Sequence, residues 1–204
     1  MNQQSTTRQD RSLTIGVLAL QGAFEAHAKA LTALGVTAKL VRTPAELANL
    51  DGLIIPGGES TTMLKLLREE NLMEPLRQFG LRRPIFGTCA GAILLANEVS
   101  SPAQESLGLI DVGVERNAYG RQVDSRITNI MPEADFRSRM GEGEMEAVFI
   151  RAPIIRRVGT GAKVLARYDG DPVLVEEGRH VVATFHPELS RDNRVHELFL
   201  QKLS

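Results

Sequence analysis

The sequence predicts an α/β fold, in which a doubly wound, mostly parallel sheet carries flanking helices on both faces. Two observations support this fold class. In the first hundred residues, apolar runs of strand length alternate four times with segments of helical spacing. The second half instead contains short β-type runs separated by glycine, aspartate and proline, which predict additional antiparallel strands.

The first half provides four strand and helix pairs, which right-handed crossovers join into one sheet. The opening strand is continuously apolar, as is typical of a parallel strand covered on both faces. A glycine ends the helix after it, and a Thr-Pro pair begins the short helix that follows the second strand. The predicted strands are Leu13–Leu20, Thr37–Arg42, Gly52–Gly58 and Pro84–Gly87, and the predicted helices are Ala23–Gly35, Pro44–Leu50, Ser60–Phe79 and Thr88–Val99.

The second half predicts a hairpin around Glu177–Arg179 and an amphipathic closing helix over Asn193–Leu203. We expect residues 13–204 to form a single domain after a disordered tail at 1–12. The β-type runs are Val112–Asn129, Glu146–Pro153, Ala162–Gly170 and Asp171–Glu188.

Composition excludes several classes of function. The 204 residues include 24 basic and 25 acidic side chains, so no global field attracts nucleic acid or a membrane. A single cysteine makes neither an internal disulfide nor a cysteine-rich metal site. The polar N-terminus lacks the apolar core of a signal peptide, and no apolar run reaches the length of a membrane span. We therefore expect a cytoplasmic protein.

Cys89 lies in the sequence Gly87-Thr88-Cys89-Ala90-Gly91, which joins a predicted strand directly to a helix. Nucleophiles on such turns need small residues two positions away on either side, as in the G-x-S-x-G elbow of hydrolases. A helix N-terminus also favours a thiolate. The alternative interpretation is a small buried hydrophobic residue, which is common for free cysteine. The flanking glycines favour a nucleophile.

His186 is the best candidate for a general base, because Glu188 follows two residues later at the end of a predicted strand. In an extended segment both side chains point the same way, and we expect Pro187 to keep the backbone extended. Glu188 then fixes the imidazole as the third member of a triad. The other histidines, His27, His180 and His196, lie in helices or near a turn, where structural or solvated roles are expected.

The sequence Pro56-Gly57-Gly58-Glu59-Ser60 follows the third predicted strand. Adjacent glycines let backbone N–H groups turn toward a ligand. The loop lacks the spacing and the lysine of a phosphate-binding P-loop. Beside a cysteine elbow it favours an oxyanion hole, with the N–H groups of Gly58 and Ala90 as donors. A tight turn before a Ser60 helix cap is the simpler alternative, and both can hold together. A cysteine, a histidine and a glutamate imply acyl transfer through a thioester.

These motifs, GTCAG, HPE and PGGEST, resemble those of class I (triad) glutamine amidotransferases. Longer stretches resemble the glutaminase subunits of pyridoxal 5′-phosphate synthases, and the similarity extends from Leu13 to about Leu200. The stretches are LTIGVLALQGAFEAH, GLIIPGGESTTM, MEPLR, PIFGTCAGAILLA, LGLIDVGVERNAYGRQVDS, FIRAP and FHPEL.

The resemblance implies a flavodoxin-like fold and glutamine hydrolysis without a metal or cofactor. Cys89 would attack the side-chain amide of L-glutamine, His186 would deliver a proton to the leaving ammonia, and water would cleave the thioester. It also implies a partner, a β/α-barrel synthase subunit that uses the ammonia within a large hetero-oligomer. The residues that would contact glutamine are Gly58, Glu59, Ser60, Arg116, Ile150 and Arg151.

Other functions stay open at this point. The chain could supply ammonia to a different acceptor, although its GVERNAYGRQVDS and FIRAP stretches argue against this. It could be a cysteine-dependent sensor or chaperone on a related fold, which would not need the His186–Glu188 pair. An interaction module with a decayed site is the least favoured, because all three triad residues are present. Without the resemblance, Arg116 and Arg151 would be taken as ordinary surface charges.

Overall fold

A computed structural model of the protein describes residues 13–117 and 125–203. The predicted tail at 1–12 lies outside the described residues, as do residues 118–124 of the predicted β-type run Val112–Asn129. Within the described ranges, every helix falls short of the length and apolar character that crossing a bilayer requires.

The helices and strands of the described residues follow the predicted order through the first half. The α-helices are Phe24–Ala33 (α1), Ser60–Glu69 (α2), Met73–Gly80 (α3), Ala90–Leu95 (α4), Ala134–Met140 (α5) and Arg194–Leu200 (α6), with short 3-10 turns at Pro44–Leu47, Pro187–Leu189 and Gln201–Leu203. The strands are Thr14–Leu18 (β1), Thr37–Val41 (β2), Gly52–Ile55 (β3), Ile85–Thr88 (β4), Ala96–Ser100 (β5), Ile110–Glu115 (β6), Ser125–Ile130 (β7), Met145–Ile150 (β8), Ile154–Val158 (β9), Lys163–Tyr168 (β10), Asp171–Glu177 (β11) and His180–Ala183 (β12).

The main sheet confirms the predicted α/β class. Among the described residues it has seven strands in the order β10-β11-β12-β4-β3-β1-β2. The five strands from β12 to β2 are parallel. Beyond β12, the β12–β11 and β11–β10 pairs are antiparallel. The predicted hairpin is formed by β11 and β12 and turns at Gly178, whose φ is 54°. Because β12 lies beside β4, the C-terminal half contributes a central strand to this sheet.

Two apolar clusters cover the two faces of the sheet, as a doubly wound fold requires. One cluster includes Ile55, Leu67 and Leu94, and the other includes Phe86 and Phe199, all fully buried. Replacing a large buried side chain of either cluster with alanine costs about 2–5 kcal/mol. The rigid sheet between the clusters fixes the ends of β3, β4 and β12 relative to one another.

Two predicted helices were too long. The helix expected over Ser60–Phe79 is interrupted at Asn71, whose φ of 55° is incompatible with a continuing right-handed helix. The helix expected over Thr88–Val99 ends at Leu95, and the chain continues as β5, which pairs with β6. Pairing within the tertiary structure here overrides the local helical spacing.

The second half was predicted less well. The run Val112–Asn129 contributes to two different sheets, β6 in a three-stranded sheet with β5 and β9, and β7 in a pair with β8. The strand expected over Gly52–Gly58 ends at Ile55, which leaves the glycine pair in a loop. Helix α5 was not predicted.

Candidate active site

Cys89 occupies the sharp turn between β4 and α4, as predicted. Its φ of 47° and ψ of −104° are unusual for a residue with a side chain, so the surrounding structure must hold this conformation. The flanking glycines explain how. A Cβ on Gly87 would lie 2.5 Å from the Gly91 carbonyl oxygen, and one on Gly91 would collide with the Ile55 carbonyl. The G-x-C-x-G pattern therefore allows the close contact between β3, β4 and α4.

The backbone of the Cys89 turn is joined to the strand that leads to His186. The Cys89 N–H donates to the carbonyl of Ala183 at the end of β12, at 2.8 Å. Three residues later, the His186 N–H donates to the Val148 carbonyl of β8, also at 2.8 Å. Main-chain bonds thus set the distance between the thiol and the imidazole.

His186 and Glu188 are paired as predicted, but the reason given for the pairing was wrong. Pro187 does not keep the chain extended, because it begins a 3-10 turn over Pro187–Leu189. Proline is well suited to the first position of a helical turn. The bend brings Glu188 Oε1 to 2.8 Å from His186 Nδ1, and both side chains are buried.

The surroundings of His186 favour its protonated form. Burial alone lowers the pKa of the imidazole, but hydrogen bonding to the Cys89 thiol and to the Glu188 carboxylate raises the pKa by more, to about 10. At neutral pH the ring is therefore protonated and lies between the Glu188 carboxylate and the Cys89 sulfur. This protonation state suits the delivery of a proton to a leaving group.

The glycine pair after β3 lies against the triad. A Cβ on Gly57 would collide with His186 Cε1 and would lie 3.2 Å from Cys89 Cβ, so only glycine fits there. Gly58 lines the same cleft, and Ala90 is the first residue of α4, directly after the thiol. Both predicted oxyanion donors are therefore beside Cys89 in space or in sequence.

Glu59, and not Ser60, caps helix α2. Its carboxylate accepts from the backbone N–H groups of Thr61 and Thr62 at 2.9 and 2.7 Å and from the Thr62 hydroxyl at 2.7 Å. The cost of burying the carboxylate is outweighed by these hydrogen bonds, which lower the pKa of Glu59 to about 2. The alternative interpretation with Ser60 as the helix cap is therefore wrong, and Glu59 is ionised at the edge of the cleft.

The cleft has a volume of about 170 Å³, below the roughly 300–1,000 Å³ of pockets for drug-sized ligands. This size suits a small metabolite. It brings together eight of the residues predicted from the sequence, and Glu188 lies directly behind His186. Asn117 was missed, although it follows Arg116 in a stretch used for the resemblance. The lining residues are Gly58, Glu59, Ser60, Cys89, Arg116, Asn117, Ile150, Arg151 and His186.

Arg116 presents a guanidinium that its protein neighbours only partly satisfy. Its Nη2 donates to the Thr61 hydroxyl at 2.7 Å and lies 4.0 Å from Glu59 Oε1. Its Nε is buried and has no hydrogen-bond partner among the described residues. A buried, incompletely paired arginine in a small cleft is suited to a carboxylate ligand.

Ile150 and Arg151 form the opposite wall. The Ile150 carbonyl lies 4.0 Å from the Cys89 sulfur, and Arg151 has a φ of 46°. This second strained residue at the cleft turns the chain sharply after β8. Among the described residues, no three His, Cys, Asp or Glu side chains are grouped in a way that could hold a metal ion.

Comparison with known proteins identifies close relatives. The model of the SNO glutamine amidotransferase family matches residues 17–204. A relative from Solibacter usitatus, the pyridoxal 5′-phosphate synthase subunit PdxT, is 61% identical over 189 residues, which are 93% of this chain and 98% of the relative. The protein of the same name from Desulforamulus reducens is 50% identical over 194 residues, covering 94% of this chain and 100% of that protein.

Solved structures agree with these matches. A crystal structure of a glutamine amidotransferase superposes with a TM-score of 0.83 at 46% identity, covering 93% of this chain and 98% of that chain. A protein from Thermoplasma acidophilum, described as a putative subunit of GMP synthase, has a TM-score of 0.70 at 17% identity, covering 96% of each chain. At that identity the second likeness supports the fold alone.

Proposed function

The chain belongs to the SNO glutamine amidotransferase family, and on this premise we propose that it hydrolyses L-glutamine to L-glutamate and ammonia through a Cys89 thioester. The observation that carries the proposal is the strained Cys89 turn beside a paired histidine and glutamate. All three face or adjoin a cleft of about 170 Å³, which suits an amino acid.

In the acylation half of the reaction, the Cys89 sulfur attacks Cδ of the glutamine side chain and forms a tetrahedral intermediate. The intermediate collapses when His186 gives its proton to the amide nitrogen, so ammonia leaves and a thioester forms. Glu188 stabilises the imidazolium before this transfer. The raised pKa of His186, about 10, supports this role as proton donor.

Deacylation uses the same groups in the reverse roles. His186, now neutral, takes a proton from water, and the hydroxide oxygen attacks the thioester carbon. The C–S bond breaks, glutamate leaves, and Cys89 and His186 return to their starting states. In both halves, we assign the N–H groups of Gly58 and Ala90 to the oxyanion, where removing one donor typically costs about 10²–10³-fold in kcat.

Recognition of the substrate's α-carbon groups is assigned to charges at the cleft. The partly paired guanidinium of Arg116 suits the α-carboxylate. Glu59 suits the α-ammonium, because a carboxylate offers about four acceptor positions and three donors occupy it here. The remaining wall, made by Ser60, Ile150 and Arg151, sets the length of side chain that fits.

The relatives' name describes a subunit of pyridoxal 5′-phosphate synthase. We propose that this chain passes its ammonia to a synthase subunit that makes pyridoxal 5′-phosphate. That partner would be a β/α barrel, and the complex a large cytoplasmic hetero-oligomer. A glutaminase serving another ammonia acceptor is the competing function.

The test measures glutamate release from glutamine by the purified chain, with and without the synthase subunit of the same organism. We expect Cys89→Ala to abolish the activity, with a loss on the order of 10⁶-fold as for other catalytic nucleophiles. The variant should fold and bind the partner as the wild type does, which gel filtration of the mixture would check. Full glutaminase activity of Cys89→Ala in the complex would falsify the mechanism. Glutamate release without transfer of nitrogen to pyridoxal 5′-phosphate would favour the competing acceptor.

A further inference from the structure

Glu188 has a second buried neighbour, which the reaction described above does not use. Its Oε1 is bound by His186, and its Oε2 lies 3.3 Å from Nε2 of His27 on helix α1. The side chains of His27 and Glu188 are both fully buried. This approach is a close contact and not a hydrogen bond, since Oε2 has no hydrogen-bond partner among the described residues. The same His27 Nε2 lies 3.1 Å from the hydroxyl of Thr88, the residue before the nucleophile.

The contact continues on the far side of His27. Its Nδ1 lies 3.0 Å from Nε2 of His196 on α6, and the whole His196 residue is buried. His196 Nδ1 has no hydrogen-bond partner among the described residues. The buried polar groups thus form a series from His196 through His27 to Glu188 and His186.

Only one arrangement of protons serves this series well. If His27 carries its proton on Nε2, it donates to the Thr88 hydroxyl with the same N–H facing Glu188, and its Nδ1 accepts from His196 Nε2–H. His196 then has an unprotonated Nδ1, and a buried acceptor without a partner is more often tolerated than a buried donor. The opposite arrangement would turn the His27 lone pair toward an ionised carboxylate and leave a buried N–H of His196 unpaired. The geometry therefore favours Nε2–H on both rings.

Both histidines behind Glu188 are neutral. Burial, together with the nearby His196 and His186, lowers the pKa of His27 well below its ordinary value. Burial lowers the pKa of His196 to about 4. The groups that face His27 are Thr88 from β4, Glu188 and His186 from the turn after β12, and His196 from α6. Glu188 is the one carboxylate in this set, and Nε2 of His27 lies 3.3 Å from the carboxylate oxygen that has no hydrogen bond.

We propose that His27 is a positioning residue for the glutaminase reaction, which fixes the Glu188 carboxylate so that its other oxygen stays on His186. The inference rests on the proposed function. It assigns His27 no contact with substrate. Its effect passes through Glu188 to the imidazole that moves the proton.

The kinetic test compares His27→Leu with His27→Gln in the complex with the synthase subunit. Glutamine has an amide nitrogen as many bonds from Cα as the histidine Nε2, so it can restore a donor toward Glu188. For His27→Leu we expect kcat to fall about 10-fold or more. In metalloenzymes, losses of this size follow when a residue that orients a metal-binding side chain is removed. KM should change less than about twofold, because no substrate contact is lost. His27→Gln should recover most of kcat.

The pH profile separates positioning from packing. A Glu188 carboxylate that is less well fixed supports the His186 imidazolium less, so the alkaline limb of kcat/KM should move to lower pH in His27→Leu and return in His27→Gln. The matched control is His180→Leu. His180 is a buried histidine that accepts from the Ile85 N–H at the other end of β4. Its loss should lower stability without moving the alkaline limb.

Two results would overturn the proposal: an unchanged alkaline limb and kcat in a folded His27→Leu protein, or an equal shift in His180→Leu. If His27→Leu does not fold, the wild-type protein still decides the question through the ¹⁵N NMR shifts of its histidine rings. Nε2–H on His27 is expected, and Nδ1–H would contradict the proposal. This measurement needs no turnover, so it tests the position of His27 separately from the glutaminase function. A failed glutaminase function would show instead as the absence of glutamate release by the wild type.

Discussion

The His186–Glu188 pair has two sides, and they are built from different chemistry. On the cleft side, Glu59 and Arg116 are charged, and half of the Glu59 side chain is in water. On the buried side, His27 and His196 are uncharged and fully covered. Glu188 alone carries a formal charge into that covered region.

The difference follows from what each side has to bind. A charge in the cleft gains a partner when a zwitterionic substrate arrives, and water serves it until then. A second charge on the buried side would have neither a substrate partner nor water, and burying an unpaired charge is costly. The two sides should therefore respond differently to substitution. Changes on the buried side should lower kcat, and changes to the charged residues of the cleft should raise KM.

Among the substitutions that compare the two sides, the largest effect is expected where they meet, at Glu188→Gln. The amide keeps the shape but lacks the charge that stabilises the imidazolium, and the equivalent change in serine proteases lowers kcat by about 10⁴-fold. Glutamate release by the complex measures the loss. The control is Glu176→Gln, a buried carboxylate held by Arg139 and Lys202 outside the cleft, for which activity should change less than about twofold. A loss of under tenfold at Glu188 would mean that the buried side does not support the proton transfer.

An intermediate effect of the opposite kind is expected for Arg116→Met. Hydrogen bonds to charged groups contribute about 1.5–3 kcal/mol, so KM for glutamine should rise by roughly 10–100-fold. Because the α-carboxylate takes no part in the chemistry, kcat should change much less. Arg167→Met is the matched control, since Arg167 is half-exposed and paired only with Glu133 at 3.6 Å among the ion pairs of the described residues. A fall in kcat with an unchanged KM would remove Arg116 from substrate binding.

The smallest effect concerns stability, because Glu59 caps α2 in addition to its proposed contact with substrate. Glu59→Ala should lower the free energy of unfolding by about 1 kcal/mol at neutral pH, a typical loss for a helix cap. The pKa of Glu59 in the folded protein, about 2, is below the ordinary 4.5. The stabilisation is therefore complete above 4.5 and is lost as pH falls toward 2.

Urea unfolding of the wild type and Glu59→Ala over this acidic range checks the effect, and the difference between them should shrink with falling pH. Because the Glu59 side chain is half exposed, this difference in the free energy of unfolding should be well below the value that the full pKa shift would give. Glu69→Ala, at the other end of α2, should leave the unfolding midpoint nearly unchanged. A constant difference at every pH would show that the carboxylate is not the cap.

Local patterns in the sequence predicted most of what lies at the strand ends. The apolar runs predicted strands β1 to β4, and the two glycines around Cys89 predicted the turn, because both depend on neighbours in sequence. The end of α2 just before Asn71 was missed, although asparagine with a positive φ is a common way to end a helix. Strand β5 forms because it pairs with β6. The sequence of residues 88–99 alone does not indicate this pairing, so the strand could not be predicted from it.

The motifs predicted which residues meet at the cleft, but not which residues lie behind them. His186 and Glu188 were paired correctly through an assumed extended backbone, whereas a 3-10 turn brings them together. His27 was considered only as one of several competing bases. Its contact with Glu188 spans helix α1 and the turn after β12, which are far apart in the chain, so only the fold reveals it.

The pairing of β4 with β12 has a consequence for how the protein is made. Val181 pairs with Phe86, so the strand that carries the thiol is translated long before the strand that leads to its base. Until β12 arrives, one edge of β4 lacks its partner and is a potential site of aberrant strand pairing. During synthesis, then, the nascent chain has a nucleophile but no proton donor, and the triad around Cys89 is complete only when β12 and the turn after it have folded.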